Sequence, residues 1–397
     1  MCNVTHVRIV GSSSRWRLGL LATSAFVFVT SELLPVGAMP VLVADLGASE
    51  GQVGRLLTVY AALVAVTAVP AVRLTRTVNR RVLVSFAVLV MAVSNGLAAL
   101  APSLGWLMAA RLLIATTHGL FWSIIGSVAS RLAPAGRAGA ATSVVFAGNA
   151  LALIAGVPVV NAVSTWVGWR LSLVGVAVVA GAVGIALYAA LPPLPAEAPP
   201  APRRGRDVQA MRRVCGVAVT TLLTVTAYFA TYTYITSILT TSPVTSLNQP
   251  LFLLLYGSVG LVGILVCGRW VDRAPRAVIT VQSLLGVTAY LLLGVTQSPL
   301  HLLVPAALLL LSLGYAGMAV SWQAAALRAA PAAPDLASAV YVVAFQIGIA
   351  IGPVIGGLFV DRNDLFVVPL VSAGVAAGGM VAAASASAFS HARPCRP

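Results

Sequence analysis

The dominant pattern along this chain is the apolar run, interrupted at intervals by short polar segments. A helix needs about 20 mainly apolar residues to cross a bilayer. Twelve stretches reach that length, at roughly 18–39, 52–72, 82–101, 105–130, 139–162, 171–191, 214–240, 250–268, 277–296, 301–327, 336–360 and 365–389. None alternates apolar and polar residues at every second position, as membrane barrel strands do. The first stretch has no small-residue cleavage site and holds Glu32 and Pro35, so a retained helix is expected, not a signal peptide. The fold class predicted is an all-α polytopic membrane protein of twelve helices in two six-helix, pseudo-symmetric bundles.

Composition sharpens this reading. Of 397 residues, 59% are hydrophobic and 8% charged, against about 25% charged in soluble domains. Mean hydropathy is +0.99. A large soluble core and a disordered chain are both excluded. The net charge of +15 would suggest nucleic acid in a soluble protein. Here the basic residues, all 24 of them Arg, instead map onto loops. With both termini placed in the cytoplasm, twenty fall on the inner side: Arg8, Arg15 and Arg17; Arg73, Arg76, Arg80 and Arg81; Arg131 and Arg137; Arg203, Arg204, Arg206, Arg212 and Arg213; Arg269, Arg273 and Arg276; Arg328; Arg393 and Arg396. Arg55, Arg170 and Arg362 fall outside, and Arg111 falls within the membrane. That bias supports the helix count independently. No nucleic-acid partner is implied. Cys2, Cys215, Cys267 and Cys395 are isolated, without metal-ligand spacing, and no metal or organic cofactor is expected.

The segment 192–213 is Pro-rich and then Arg-rich, which makes it a linker between a bundle at 1–191 and a bundle at 214–397. The basic run would also meet anionic lipid. The bundles match weakly at an offset near 196. Loop arginines after the second and eighth stretches correspond, as do S-R-L-A-P-A (130–135) with L-R-A-A-P-A (327–332) and Gly156-Val-Pro158 with Gly352-Pro353. Such repeats place a substrate site near the midplane, between the halves.

Several motifs resemble a known family. Gly268-Arg-Trp-Val-Asp272-Arg273-Ala-Pro-Arg276 resembles the G-x-x-x-D-R-x-x-R loop of the major facilitator superfamily. Gly348-Ile-Ala-Ile-Gly352-Pro353-Val-Ile-Gly356-Gly357 resembles its G-x-x-x-G-P-x-x-G-G pattern, which marks helix 5 in drug antiporters but stands in helix 11 here. The first loop, RLTRTVNRR from Arg73, lacks the Gly and Asp. T-S-E-L-L-P-V-G (30–37), H-G-L-F-W-S-I (118–124), R-L-A-P-A-G-R (131–137), G-W-R (168–170) and T-A-Y-F-A-T-Y-T-Y-I (226–235) are similar to bacterial sugar-efflux exporters of the drug:proton antiporter branch. Arg111 matches that branch's helix 4 arginine. The resemblance implies a secondary transporter, acting as a monomer in the bacterial cytoplasmic membrane, that exports a sugar-like or amphipathic molecule in exchange for protons. Efflux of antibiotics of the chloramphenicol type is the alternative, followed by a facilitator or symporter on the same fold. A membrane enzyme or receptor has little support, since H-E-x-x-H, G-x-S-x-G and Walker motifs are absent, and no catalytic residue is assigned.

Glu32 is the one acid placed inside the membrane, the other eight being assigned to loops. A charge there costs roughly 2.5–3.5 kcal/mol on insertion scales. Glu32 and Arg111 lie at similar depth, near ~10 Å from the outer ends of helices 1 and 4, and would meet if those helices adjoin as in the family. His118 and Trp122 share the helix face of Arg111. Glu32, Arg111 and His118 are therefore the candidates for proton coupling. Trp122, Asn149, Thr224, Tyr228, Thr231, Tyr232, Tyr315, Trp322, Gln323 and Gln346 are the candidates for substrate binding, through neutral hydroxyls, amides and rings. Gly268, Asp272, Arg273, Arg276, Gly352 and Pro353 are the candidates for gating. At the repeat offset, Tyr228 stands opposite Glu32.

Overall fold

The computed structural model describes residues 12–75, 77–133, 138–195, 208–271, 273–295, 300–330 and 334–385. Among them twelve helices are long and apolar enough to cross a membrane: α1 (Arg15–Gly37), α2 (Glu50–Leu74), α3 (Arg80–Ala99), α4 (Leu104–Leu132), α5 (Ala147–Val167), α6 (Trp169–Ala190), α7 (Val208–Tyr232), α8 (Gln249–Trp270), α9 (Pro275–Val295), α10 (Val304–Ala329), α11 (Ala339–Val360) and α12 (Val367–Ser385). No strand occurs among the described residues. Asp272 and residues 196–207 of the expected linker lie outside the described residues, as do Arg8, Arg76, Arg137, Arg393 and Arg396.

Local sequence explains the boundaries. Ser49 and Gln52 form a reciprocal capping box at the start of α2, and Asn79, Ser103 and Asn248 cap α3, α4 and α8. Gly168 (φ +89°) makes the turn from α5 into α6, a conformation open to Gly and strained for other residues. Pro158 removes a backbone donor from α5, and a π-helical turn at Ala152–Gly156 precedes it.

Two predicted stretches are divided, 301–327 by a turn at Gly317 and 214–240 more sharply. The apolar run 214–240 predicts a single helix, but α7 ends at Tyr232 and a separate helix spans Ile235–Thr240. Thr233 turns its hydroxyl onto the Phe229 carbonyl (2.6 Å), and the Tyr234 amide bonds Thr231 at i−3. Threonine side chains compete in this way with the helical ladder.

Helices α1–α6 pack among themselves, as do α7–α12. Between the sets, α2 packs on α11 and α5 on α8. Shifting the count by six helices exchanges these two pairs, which is the relation a duplication produces. Large apolar side chains such as Val66, Val93, Val178, Ile185 and Leu265 face outward, as contact with lipid tails requires. Phe26 and Trp122 pack against both a core within the first six helices and a core that spans the two sets.

The polar ends are built differently. At one end, arginines serve backbone carbonyls: Arg17 bonds Ala190, Arg131 bonds Pro195, and Arg80 reaches Thr75. The Ala190 and Thr75 carbonyls are groups that helix ends leave unpaired, and Pro195 lies in the segment after α6. At the other end, Asp45 accepts from Arg170 (2.5 Å) and Trp169 (3.1 Å), so the G-W-R corner holds the short helix Met39–Leu46. The Arg170 guanidinium, and then the Trp169 indole, hold the Asp45 carboxyl below the usual carboxylate range.

Candidate functional site

The polar interior of the first six helices is one continuous arrangement. On α4, Arg111, His118 and Trp122 face inward as their spacing predicts, and the first two are 2% and 3% exposed. The Arg111 Nη2 donates to the carbonyls of Ser31 (3.0 Å) and Glu32 (2.9 Å) on α1. The expected meeting of helices 1 and 4 at this depth is present, with a difference in chemistry. Arg111 holds the Glu32 backbone, and the Glu32 carboxylate forms no ion pair among the described residues. The two hydrogens of one guanidinium nitrogen suit two adjacent carbonyls, and the half-buried Glu32 carboxylate makes no hydrogen bond to it. On α3, Ser94 donates to the Ala110 carbonyl, and Asn95 accepts from Ser31, so both partners are fixed from a third side.

Tyr60 of α2 completes the arrangement. Arg111 lies over its ring, with Cζ 5.4 Å from the centroid. The Tyr60 hydroxyl is 2.7 Å from His118 Nδ1. Phe28 and Tyr60 meet the imidazole edge-on. Its other nitrogen, Nε2, is 3.4 Å from the side-chain amide of Gln346 on α11. A polar chain therefore crosses from one set of helices to the other.

The facing half is built of neutral rings. Tyr228 stacks on Tyr315 and on Tyr232, with centroids 3.3 and 4.8 Å away, and its hydroxyl lies 3.1 Å from that of Tyr256 on α8. Among the described residues, the buried atoms Tyr315 Oη, Trp322 Nε1 and Gln346 Oε1 have no hydrogen-bond partner. Buried polar atoms are ordinarily satisfied, so these three are open to a ligand or water. Thr224 and Tyr315 line a cavity with room for about one water molecule. Thr224 bonds its own helix at Thr220, and Thr231 bonds Ser372 of α12, so both hydroxyls already have partners. Asn149 on α5 and Gln323 on α10 are half-buried.

The expected gating residues separate. Gly268 has open space about it, and Arg273 and Arg276 are exposed. Gly352 is in close contact with α7, where a Cβ would come within 2.8 Å of Thr226 O and Ala230 N. The Pro353 carbonyl accepts from the Tyr234 hydroxyl at 2.7 Å.

Sequence reasoning missed a second inter-half contact. Glu50, expected in a loop, is the first residue of α2, and its carboxylate accepts from Ser237 at 2.6 Å. Asp361, just past α11, accepts the Gly51 amide at 2.9 Å. Each half thus presents a carboxylate to the other, and both stand at the N-terminus of α2, where negative charge is favoured. Gly51 and Gly357 allow the close approach, since a Cβ on Gly357 would lie 2.9 Å from the Gly51 Cα. Tyr60, Glu50 and Asp361 each gave a sequence signal, a lone polar group inside or at the edge of an apolar stretch.

The Major Facilitator Superfamily model matches residues 21–353. The chain belongs to the Major Facilitator Superfamily. Two chloramphenicol efflux pumps of Mycobacterium tuberculosis, from strains CDC 1551 and H37Rv, are each 39% identical over 357 residues, covering 87% of this chain and 86% of theirs. Among solved structures, the nucleoside transporter NupG matches with a TM-score of 0.73 at 13% identity, covering 95% of this chain and 99% of that one. A bacterial homologue of the human lysosomal transporter Spinster, inward-facing and occupied, matches at 0.73 and 15%, covering 94% and 96%. These identities establish the fold alone. Membership of the superfamily makes the chain a multi-pass transporter of small molecules.

Proposed function

We propose that this transporter exports a neutral, amphipathic aromatic antibiotic of the chloramphenicol type in exchange for protons. The observation that carries the reading is the 39% identity to chloramphenicol efflux pumps across most of both chains. It favours the antibiotic alternative over sugar efflux. The chemistry of the interior supports the same choice: stacked tyrosines with unpaired donors and an acceptor suit an aromatic solute with neutral polar groups.

In this reading the units 1–191 and 214–397 rock about a site between them, joined by 192–213. Both termini and the arginine-rich end face the cytoplasm of a bacterial cell, and the protein works as a monomer. Glu32 takes a proton when the site faces outward and releases it inward, with Arg111 holding its backbone. One charge moving through 100 mV is worth about 2.3 kcal/mol, roughly a fifty-fold gradient of neutral substrate. The Glu50–Ser237 and Asp361–Gly51 contacts close the outer end and break when it opens. A contact present in one state and absent in the other is what a switch needs.

Expression in a host stripped of its own drug pumps tests the substrate. Resistance to chloramphenicol should rise, and sensitivity to a thiogalactoside should not change. Resistance confined to the sugar analogue would overturn the assignment.

A further inference from the structure

The chain from Arg111 to Gln346 passes through one residue that the sequence motifs do not single out. Tyr60 is 1% exposed, beneath the Arg111 guanidinium and within hydrogen-bonding distance of His118. His118 is walled by Phe28, Tyr60 and Trp122 and offers its two ring nitrogens to two different helices. Nδ1 faces α2 of the first half, and Nε2 faces α11 of the second.

A neutral imidazole has one donor and one acceptor nitrogen, so the partner of one fixes the role of the other. If Tyr60 donates to Nδ1, then Nε2 carries the hydrogen and needs the Gln346 carbonyl. If Nδ1 donates to Tyr60, then Nε2 accepts from the Gln346 amide. Rotation of the amide exchanges its two ends, and side-chain amide orientation is assigned from the network. The 3.4 Å separation lies at the weak end of hydrogen bonding, and Gln346 Oε1 has no partner among the described residues. This cross-half contact is therefore the adjustable one, and the 2.7 Å Tyr60–His118 contact is the fixed one.

We infer that Tyr60 is a positioning residue for transport: its hydroxyl sets the His118 tautomer and thereby links the charge at Arg111 and Glu32 to the contact between the two halves. The inference rests on the proton-coupled reading above. Arg111 and Glu32 are the charged groups whose field reaches Tyr60, and His118 is the titratable group in contact with it. A cation over the ring makes the phenol a better donor. When Glu32 is ionised it offsets that cation, and when Glu32 is protonated it does not. The proton state of α1 is thus read at α11 without a proton passing between them.

The test is Tyr60→Phe, which keeps the ring, its packing and the Arg111 contact. The tautomer state of His118 is read first, by nitrogen NMR of histidine-labelled protein with His118→Gln for assignment. The variant should shift the His118 ring nitrogens toward a mixed population. Substrate binding should change less than about twofold, whereas substrate-induced proton release should fall about tenfold and the pH profile of transport should flatten. Gln346→Leu should reproduce the loss of proton release and the flattened pH profile, with substrate affinity falling as well because its amide also faces the solute, and the double variant should release no fewer protons than the Gln346→Leu single variant. Unchanged ring-nitrogen signals in Tyr60→Phe, or additive losses in the double variant, would overturn the inference. If the unmodified protein releases no protons on binding substrate, the coupling reading fails, and the NMR result still decides whether Tyr60 sets the tautomer.

Discussion

The two sets of six helices share one architecture and differ in what they bury. Helices α1–α6 enclose an arginine, a glutamate and a histidine, joined through Tyr60. Helices α7–α12 enclose tyrosines at 228, 232, 256, 290, 315 and 341, with threonine hydroxyls turned onto their own helix or onto α12. At the repeat offset the acid of one half corresponds in sequence to a phenol of the other, Glu32 to Tyr228. A charge inside a membrane is costly wherever it is placed, and a stack of neutral rings is not. Burying Glu32, Arg111 and His118 within α1–α6 confines that cost to one set of helices. In the proposed function the first half handles the proton and the second handles the solute.

Breaking the first half should have the larger effect. Arg111→Leu removes the donor of two buried carbonyls on α1 while leaving apolar volume in place. Hydrogen bonds to charged groups contribute about 1.5–3 kcal/mol each. Thermal unfolding in detergent should show a loss of about 3 kcal/mol on that basis, and uphill transport should vanish. Breaking the second half should be milder. Tyr228→Leu removes the ring that stacks on Tyr315 and Tyr232, and such pairs contribute roughly 0.5–1.5 kcal/mol. Equilibrium binding of a nitroaromatic should weaken about tenfold, with the titration of Glu32 unaltered.

The contact between the halves should respond less. Asp361→Asn keeps an acceptor for the Gly51 amide but removes one of the two negative charges at the α2 N-terminus, the other being Glu50. That interaction is worth about 0.3–1 kcal/mol, so spin-label distances between the ends of α2 and α11 should show a shift of about two- to fivefold toward separation. The smallest effect belongs to Asp45–Arg170, a pair with both side chains 43% exposed. Because the folded Asp45 carboxyl sits below its ordinary value, its contribution is complete above about pH 3.9 and is lost as pH falls through the lowered value. Arg170→Ala should therefore cost under about 1 kcal/mol, uniformly from about pH 5 to 8, in melting curves.

Helix count was legible because lipid imposes long apolar runs and leaves the arginines to mark their ends. The depth match of Glu32 and Arg111 was legible too, since rise per residue converts sequence position into height. That Arg111 would take the carbonyl and not the carboxylate was not, because a guanidinium accepts either geometry and only packing decides. The break after Tyr232 was hidden in a run of Thr and Tyr without proline or glycine. Glu50 and Asp361 were visible as acids at the edges of apolar stretches, but their contacts were not, since the partners are 187 and 310 residues away. Tyr60 carried no motif, and its role follows from three helices meeting around it.

The division of labour between the halves is tested most directly by substrate-induced proton release from purified protein, read with a pH indicator in weak buffer. The account predicts that Glu32→Gln abolishes the release while chloramphenicol binding persists within about twofold. Proton release equal to that of the unmodified protein would contradict it.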